Sequence, residues 1–506
     1  MQLILAKFWR QASGKLLLAT VACSPGIVLA GNHEYRVEID AGMEHMWVEA
    51  RFREPVDSVT ARSGDAGDFL IAAWDCGNDN PIRLRNRRMM LPVDGVQCMN
   101  YTVDLAKAAR HERQNRTLAT DNRVISPSLW LWRPRLTDGS EIDVRFHLPE
   151  NMQISVPWPQ RDSGPFDFRL PQSPESSHAP AVFGTFHYRE VDVPGARLRL
   201  AVLRSNDARA TDLDADTLAE WIRATATDVS LAYGRFPHPS PQVVIIPTDG
   251  ARRGSDAVPY GRVIRDGGES VEMYVDQRQS LDTLLSDWTA THEFSHLLLP
   301  YVEQRHRWVS EGFAQYYQNV LLARSGAYDR QKAWQELYEG FERGRRSRPE
   351  LSPNEATAGN HRESRMKTYW SGAALALMAD VALRERSGGS ETLDVVMSRL
   401  QACCLPSDRV WSGTELFETL DSLASTPVFM SLYRRYADAA GFPDTRPLFE
   451  RLGLEIAGNE VRLQKGGELA HIRTAITRTD PAAARWRERV ATNGRSLSRA
   501  GSAGSR

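Results

Sequence analysis

Residues 291 to 317 read THEFSHLLLPYVEQRHRWVSEGFAQYY, and no other stretch constrains the fold as tightly. His292 and His296 stand four apart, so a helix places both imidazoles one turn apart on the same face, within reach of one ion. Glu293 is offset in angle and points beside that ion, where a general base for an activated water belongs. Ser280 is a suitable N-cap, Leu281, Leu285 and Trp288 lead into His292 along one stripe, and Pro300 ends the segment. The spacing therefore predicts one continuous helix up to Pro300, carrying two ligands of a single Zn2+ ion.

A catalytic zinc takes three protein ligands and leaves a fourth position for water. Glu303, His306, Glu311 and Tyr316 compete for the third place. His306 lacks the glycine turn and the spacing that a third histidine ligand would need. Glu303 lies in a polar connection, where solvation accounts for its charge. Glu311 begins a second predicted helix whose Trp308, Phe313, Tyr317 and Val320 make an apolar stripe. It lies at the inward end of that helix, and a buried carboxylate needs a cation.

The rest of the chain sets the context. With 506 residues, two to four domains are expected, and a formal net charge of -1 gives no field to attract nucleic acid. Lys7, Arg10 and Lys15 precede an apolar run at 16 to 30 that is too short to span a bilayer and ends Val28-Leu29-Ala30. This reads as a signal peptide cut after Ala30, so the protein is expected to be exported, periplasmic or secreted, with no transmembrane segment. Lipoprotein anchoring through Cys23 is the lesser alternative, because Thr20 suits that motif poorly. In an oxidising compartment Cys76 and Cys98, which flank a plausible hairpin, can form a disulfide. Neighbours in sequence rarely bond each other, so Cys403 and Cys404 are expected to be one buried and one free thiol.

Residues 31 to 205 alternate apolar and polar positions in YRVEIDA, HMWVEARF, LWLWRP, EIDVRFHL, QISVPW and RLRLAVLR, a pattern of strands that suggests a β-sandwich-like region. QSPESSHAPA, at 172 to 181, reads as a linker within it. From 206 to 445 the period changes: a helix over DTLAEWIRATATDVSLAYGRF, a buried strand PQVVIIPT, a hairpin from GRVIRDGG to ESVEMYVD, then helices. Residues 446 to 480 form an extension, and 481 to 506, rich in arginine and poor in large apolar residues, read as a flexible tail.

HEFSH followed by WVSEGFAQYY resembles the gluzincin metallopeptidases, whose pattern is HExxH, a connection, then W-x-x-E-G-F-A-x-Y-Y. The resemblance implies that His292, His296 and Glu311 bind zinc and that Glu293 is the base. KTYWSGAALALMADVALRERSGGSETLDVVMSRL, at 367 to 400, is similar to a segment of the M61 glycyl aminopeptidase family, related to the M1 aminopeptidases. It implies that Tyr369 stabilises the oxyanion, which a phenol beside the metal can do by donating a hydrogen bond. The implied architecture is α+β and multidomain: a β-sandwich-like region, then a thermolysin-like, mainly helical catalytic domain with a small sheet. The implied activity is hydrolysis of peptide or protein substrates as an aminopeptidase. An endopeptidase of the same fold, or an inactive gluzincin-fold peptide-binding protein, is the alternative.

The chain departs from the pattern in several places. The connection before Glu311 is short, Ser371 and Thr368 replace a lysine and a tyrosine, and no G-x-M-E-N strand of the M1 type is present. ESVEMYVD lies where such a strand should run, so Glu269 or Glu272 is the candidate to bind a free amino terminus, against the plainer reading of an exposed strand residue.

Overall fold

The computed structural model describes residues 32 to 503, apart from 93–94, 137–139, 173–178, 207–212, 249–256 and 360–361, with backbone alone from 493 onward. The proposed signal peptide, Cys23 and most of the linker at 172 to 181 lie outside the described residues. No helix among those described is long and apolar enough to cross a membrane.

The N-terminal region is built on a six-stranded sheet of β1 (His33–Ile39), β2 (His45–Val56), β3 (Leu70–Asp75), β4 (Val96–Asp104), β5 (Ile142–His147) and β6 (Asp167–Leu170). Their order is β6-β5-β1-β2-β4-β3, antiparallel except where β1 runs beside β5. Strict alternation puts Tyr35, Val37 and Ile39 of β1 into a core shared with Trp130, Trp158 and Phe146. Cys76, just past β3, is disulfide-bonded to Cys98 of β4.

LWLWRP is not a strand. A short 3-10 turn, Pro127–Leu129, precedes it, and Trp130, Leu131 and Trp132 are all buried in succession. The backbone there is satisfied by side chains: Trp132 N donates to the Tyr101 hydroxyl at 3.3 Å, and the Tyr35 hydroxyl donates to Trp132 O at 2.9 Å. The segment makes no ladder beyond an isolated bridge between Thr60 and Arg133, so it crosses the core as coil.

A second, mixed sheet supports the helical region. It consists of β7 (His187–Val193), β8 (Ala196–Val202), β9 (Gln242–Pro247), β10 (Tyr260–Arg265) and β11 (Glu269–Val275), in the order β7-β8-β9-β11-β10. β8, β9 and β11 are parallel; β10 returns antiparallel to β11 as the outermost strand. β9 is buried at all six positions because both faces are covered, one by helices and the other by Leu118, Val124, Val182 and Phe186 of the N-terminal region.

On the helical face lie α1 (Ala215–Ser230), α2 (Leu281–Ser286), α3 (Thr289–Ser295), α4 (Arg307–Arg324), α5 (Arg330–Arg346), α6 (Pro353–Ala358), α7 (Arg365–Arg386) and α8 (Leu393–Cys404). α4 is buried nearly all round, not along one stripe, because it is the central helix of the region. It crosses α7 at two glycines. A Cβ on Gly312 would come within 2.2 Å of Gly372 Cα, and one on Gly372 within 2.2 Å of Trp308 O, so only glycine permits this approach.

Two terminal expectations are corrected. Residues Pro481–Ala503 form a helix, α9, not a flexible tail. Asp480 Oδ1 accepts from Ala482 N and Ala483 N, Val490 is buried in the core, and Arg487 pairs with the buried Asp228 of α1. A few inward-facing residues suffice to dock a helix whose other faces are basic. At the end of α8, Cys403 and Cys404 are bonded to each other, and Cys403 is exposed, so neither is a buried free thiol.

Candidate metal and catalytic site

The predicted single helix is broken. Ser280 caps α2 as expected, its hydroxyl accepting from Thr283 N, but the helix stops at Ser286 and α3 starts afresh at Thr289. Asp287 is the cause: in extended conformation, its carboxylate accepts from Thr289 N at 2.8 Å and from Val258 N at 3.1 Å. Trp288 is left 44% exposed at the mouth of the site, off the buried stripe. α3 then runs through His292 and tightens into a 3-10 turn, His296–Leu298, before Pro300.

α3 and α4 face each other across three ligand-type atoms. His292 Nε2 is 3.3 Å and His296 Nε2 3.4 Å from Glu311 Oε2. His292, His296 and Glu311 form the one group of three or more His, Cys, Asp or Glu among the described residues whose ligand atoms fall within 4.8 Å of one another. Two imidazole lone pairs and a carboxylate converging in a buried place are the donor set of a zinc site, and they fit the ion. Burial alone would raise the Glu311 pKa, but both histidines and Arg307 hold it well below the usual carboxylate range. The other Glu311 oxygen accepts from Arg307 Nε at 2.7 Å.

The histidines differ in support. His296 Nδ1 lies 3.1 Å from Ser310 Oγ, a contact that turns Nε2 toward Glu311. His292 Nδ1 is buried without a partner within hydrogen-bond distance, as is Gln318 Oε1. Burial lowers the pKa of both rings; for His292 the bond to Glu311 and the charge of Glu293 outweigh it, whereas His296 stays lowered.

Glu293 is buried beside this cluster. Burial pushes its pKa up to about 7, against the charge of His292 and with that of Glu311. Its side chain is pressed against the outermost strand: a Cβ on Gly261 would lie 2.5 Å from Glu293 Cγ. Tyr369, on the first turn of α7, stacks beside His292 with ring centroids 5.9 Å apart. Burial, then the charge of Glu311, raises the Tyr369 pKa, so the phenol keeps its proton and can donate it to a hydrogen bond.

The competing third-ligand candidates point elsewhere. His306 is buried between Tyr433, whose hydroxyl is 2.9 Å from Nε2, and Glu303, 2.8 Å from Nδ1. The Tyr316 hydroxyl donates to Asp380 Oδ2 at 2.7 Å.

Glu269 and Glu272 are not exposed strand residues; both are buried and, being three apart, lie on opposite faces of β11. Glu269 is committed to Arg265 at 2.8 Å, and Arg265 in turn donates to His296 O and Leu299 O, anchoring the end of the histidine helix. That corrects its reading as an amine-binding residue: its charge is already used. Glu272 pairs with Arg262 at 2.6 Å and keeps one buried oxygen unpartnered in a cavity of about 560 Å³ beneath β10.

Three supporting residues escaped the sequence reading. Arg307 shares a face with Glu311, at i-4, so helical spacing could have found it. Ser310 had no signal beyond adjacency to Glu311, and Gly261 only the oddity of a glycine inside a strand.

Residues 300–373 match the family model of the M61 glycyl aminopeptidases. No curated protein matches the chain in sequence. Among solved structures, an aminopeptidase N family protein from Idiomarina loihiensis has a similar fold, with a TM-score of 0.60 at 14% identity, covering 83% of this chain and 78% of its own. An M1 zinc metallopeptidase from Deinococcus radiodurans gives a TM-score of 0.48 at 15% identity, over 82% of this chain and 94% of its own.

Proposed function

Starting from a gluzincin, M61-like zinc metallopeptidase, the premise that the matched segment and the shared fold support, we propose that the chain is an aminopeptidase with Glu293 as its general base. The observation that carries the reading is the convergence of His292 Nε2, His296 Nε2 and Glu311 Oε2, with Glu293 buried beside them.

His292, His296 and Glu311 would hold the zinc, which when bound lowers the pKa of a water and polarises a carbonyl. Glu293 takes the proton of the attacking water and returns it to the leaving amine, as a buried carboxylate beside the ligands can do. The Tyr369 hydroxyl donates to the substrate oxygen as that oxygen gains charge. Arg307 fixes Glu311 in place from behind, and Ser310 fixes the His296 ring.

Glu293→Gln is expected to keep the metal and abolish hydrolysis; a variant that still turns over would remove Glu293 from the role. Endopeptidase activity is the second reading, favoured by one observation: β10 turns Gly261 and Val263, neither of them acidic, toward the helices. Cleavage of a free-amine peptide but not its N-acetylated twin decides for the aminopeptidase, and equal cleavage for the endopeptidase.

A further inference from the structure

Beside Tyr369 lies a cavity of about 200 Å³ whose lining includes none of His292, Glu293, His296 and Glu311. Its walls come from the start of α4, the end of α6 and the start of α7, and three of its lining residues are Arg307, Arg362 and Arg365. Among the described residues no carboxylate lines it and none pairs with Arg362 or Arg365, both of which are exposed. The remaining polar lining is neutral: Gln304, Thr357, Ser364 and Thr368 with the Tyr369 phenol. α7 points its N-terminus at this space, and over its 22 residues the aligned peptide dipoles add to the positive potential there. Arg365 stands one turn before Tyr369 on α7 and both line the cavity, which places the cationic wall beside the reacting centre.

We propose that this cavity is a carboxylate-binding subsite that receives the anionic end of a peptide substrate on the leaving-group side of the scissile bond. The assignment rests on the peptidase reading of the neighbouring site. Arg307 spans the two places, its guanidinium on Glu311 and its flank on the cavity, so the carboxylate lies about one or two extended residues from the bond cut, at roughly 3.3 Å per residue. A guanidinium recognises a carboxylate through paired N–H groups, and a site with two otherwise unpartnered guanidiniums has the donors to do so. Substrates that end shortly after the scissile bond, or carry Asp or Glu there, are therefore favoured over neutral chains.

The test uses the full chain loaded with zinc. Dipeptides, tripeptides and hexapeptides are compared with free and amidated C-termini, beside amidated hexapeptides bearing Glu or Gln just after the scissile bond. The free carboxylate should raise kcat/KM by about 10- to 100-fold in the short peptides. Arg362→Gln with Arg365→Gln should erase that advantage while leaving the neutral amidated hexapeptide within about 2-fold and the melting temperature unchanged, since both residues are exposed. An advantage confined to the Glu hexapeptide, and lost in the double variant, supports the subsite with a side chain as the source. Equal rates for all wild-type substrates, or an advantage that survives both substitutions, overturns it. If no peptide is cleaved, the peptidase reading fails by itself. Calorimetry of free and amidated dipeptide then decides the subsite: tighter binding of the free form, lost in the double variant, supports it, and equal binding overturns it.

Discussion

Gly261→Ala isolates the positioning of Glu293, the base proposed above. Gly261 has no positive φ, so alanine suits its backbone, but the added carbon would stand 2.5 Å from Glu293 Cγ, 3.0 Å from Cδ and 3.1 Å from Oε1. Ordinary contact begins near 3.4 Å, so the Cγ must retreat by about 3.4 − 2.5 = 0.9 Å. Because Cγ lies at the root of the carboxylate, the whole acid moves with it. A displacement near 1 Å in a reacting group costs about 100-fold in rate, or ~2.7 kcal/mol of barrier. The expected result is a fall of about 100-fold in kcat with little change in KM, because Glu293 works on the water and does not hold the peptide. Steady-state kinetics on a cleaved peptide, with zinc content and a melting curve on the same preparation, provide the check. Wild-type kcat in a folded, zinc-replete variant would refute the claim that Glu293 acts from the position pressed against this strand. Loss of zinc would refute it differently, by showing that the strand supports the ligands and not the base.

Other outcomes follow from the same geometry. Tyr369→Phe should lower kcat by about 100- to 1000-fold with KM nearly constant, as for the loss of one oxyanion donor; equal kcat would remove it from the reaction. His292→Ala should leave the protein without bound zinc by elemental analysis, whereas full metal content would mean that the ion sits elsewhere. Burial lifts Asp228 from its ordinary 3.8 to about 6, with Arg487 opposing. The folded state thus binds more protons than the unfolded state in this window, so stability falls by ~3 kcal/mol between about pH 4 and pH 6, then levels off. Asp228→Asn should flatten that dependence in urea titrations; an unchanged slope would acquit the residue.

How much was legible depends on how local each cause is. The pairing of His292 with His296 is written in helical spacing, whereas Glu311 is singled out among four candidates by the resemblance to the gluzincin pattern. The break at Asp287 was not legible, because an aspartate inside a helical pattern gives no sign that Val258 N, distant in sequence, will bind it. LWLWRP looks like a strand since its composition suits one, yet the hydroxyls that satisfy the backbone of Trp132 belong to Tyr35 and Tyr101, on other strands. Glu269 looked free until Arg265, across the hairpin turn, claimed it. Charge pairing, helix docking by Arg487 and the glycine crossing at Gly312 and Gly372 are all tertiary facts.

The place of β10 at the margin of its sheet has a consequence for what can be digested. It pairs with β11 on one side, leaving main-chain donors and acceptors on the other side, next to Glu293, open for an incoming chain. Such a margin binds by main-chain hydrogen bonds, which every residue but proline supplies, and so filters by conformation before it reads side chains. Segments already folded into helices cannot lie along it. An extended stretch of chain is therefore what this margin can hold.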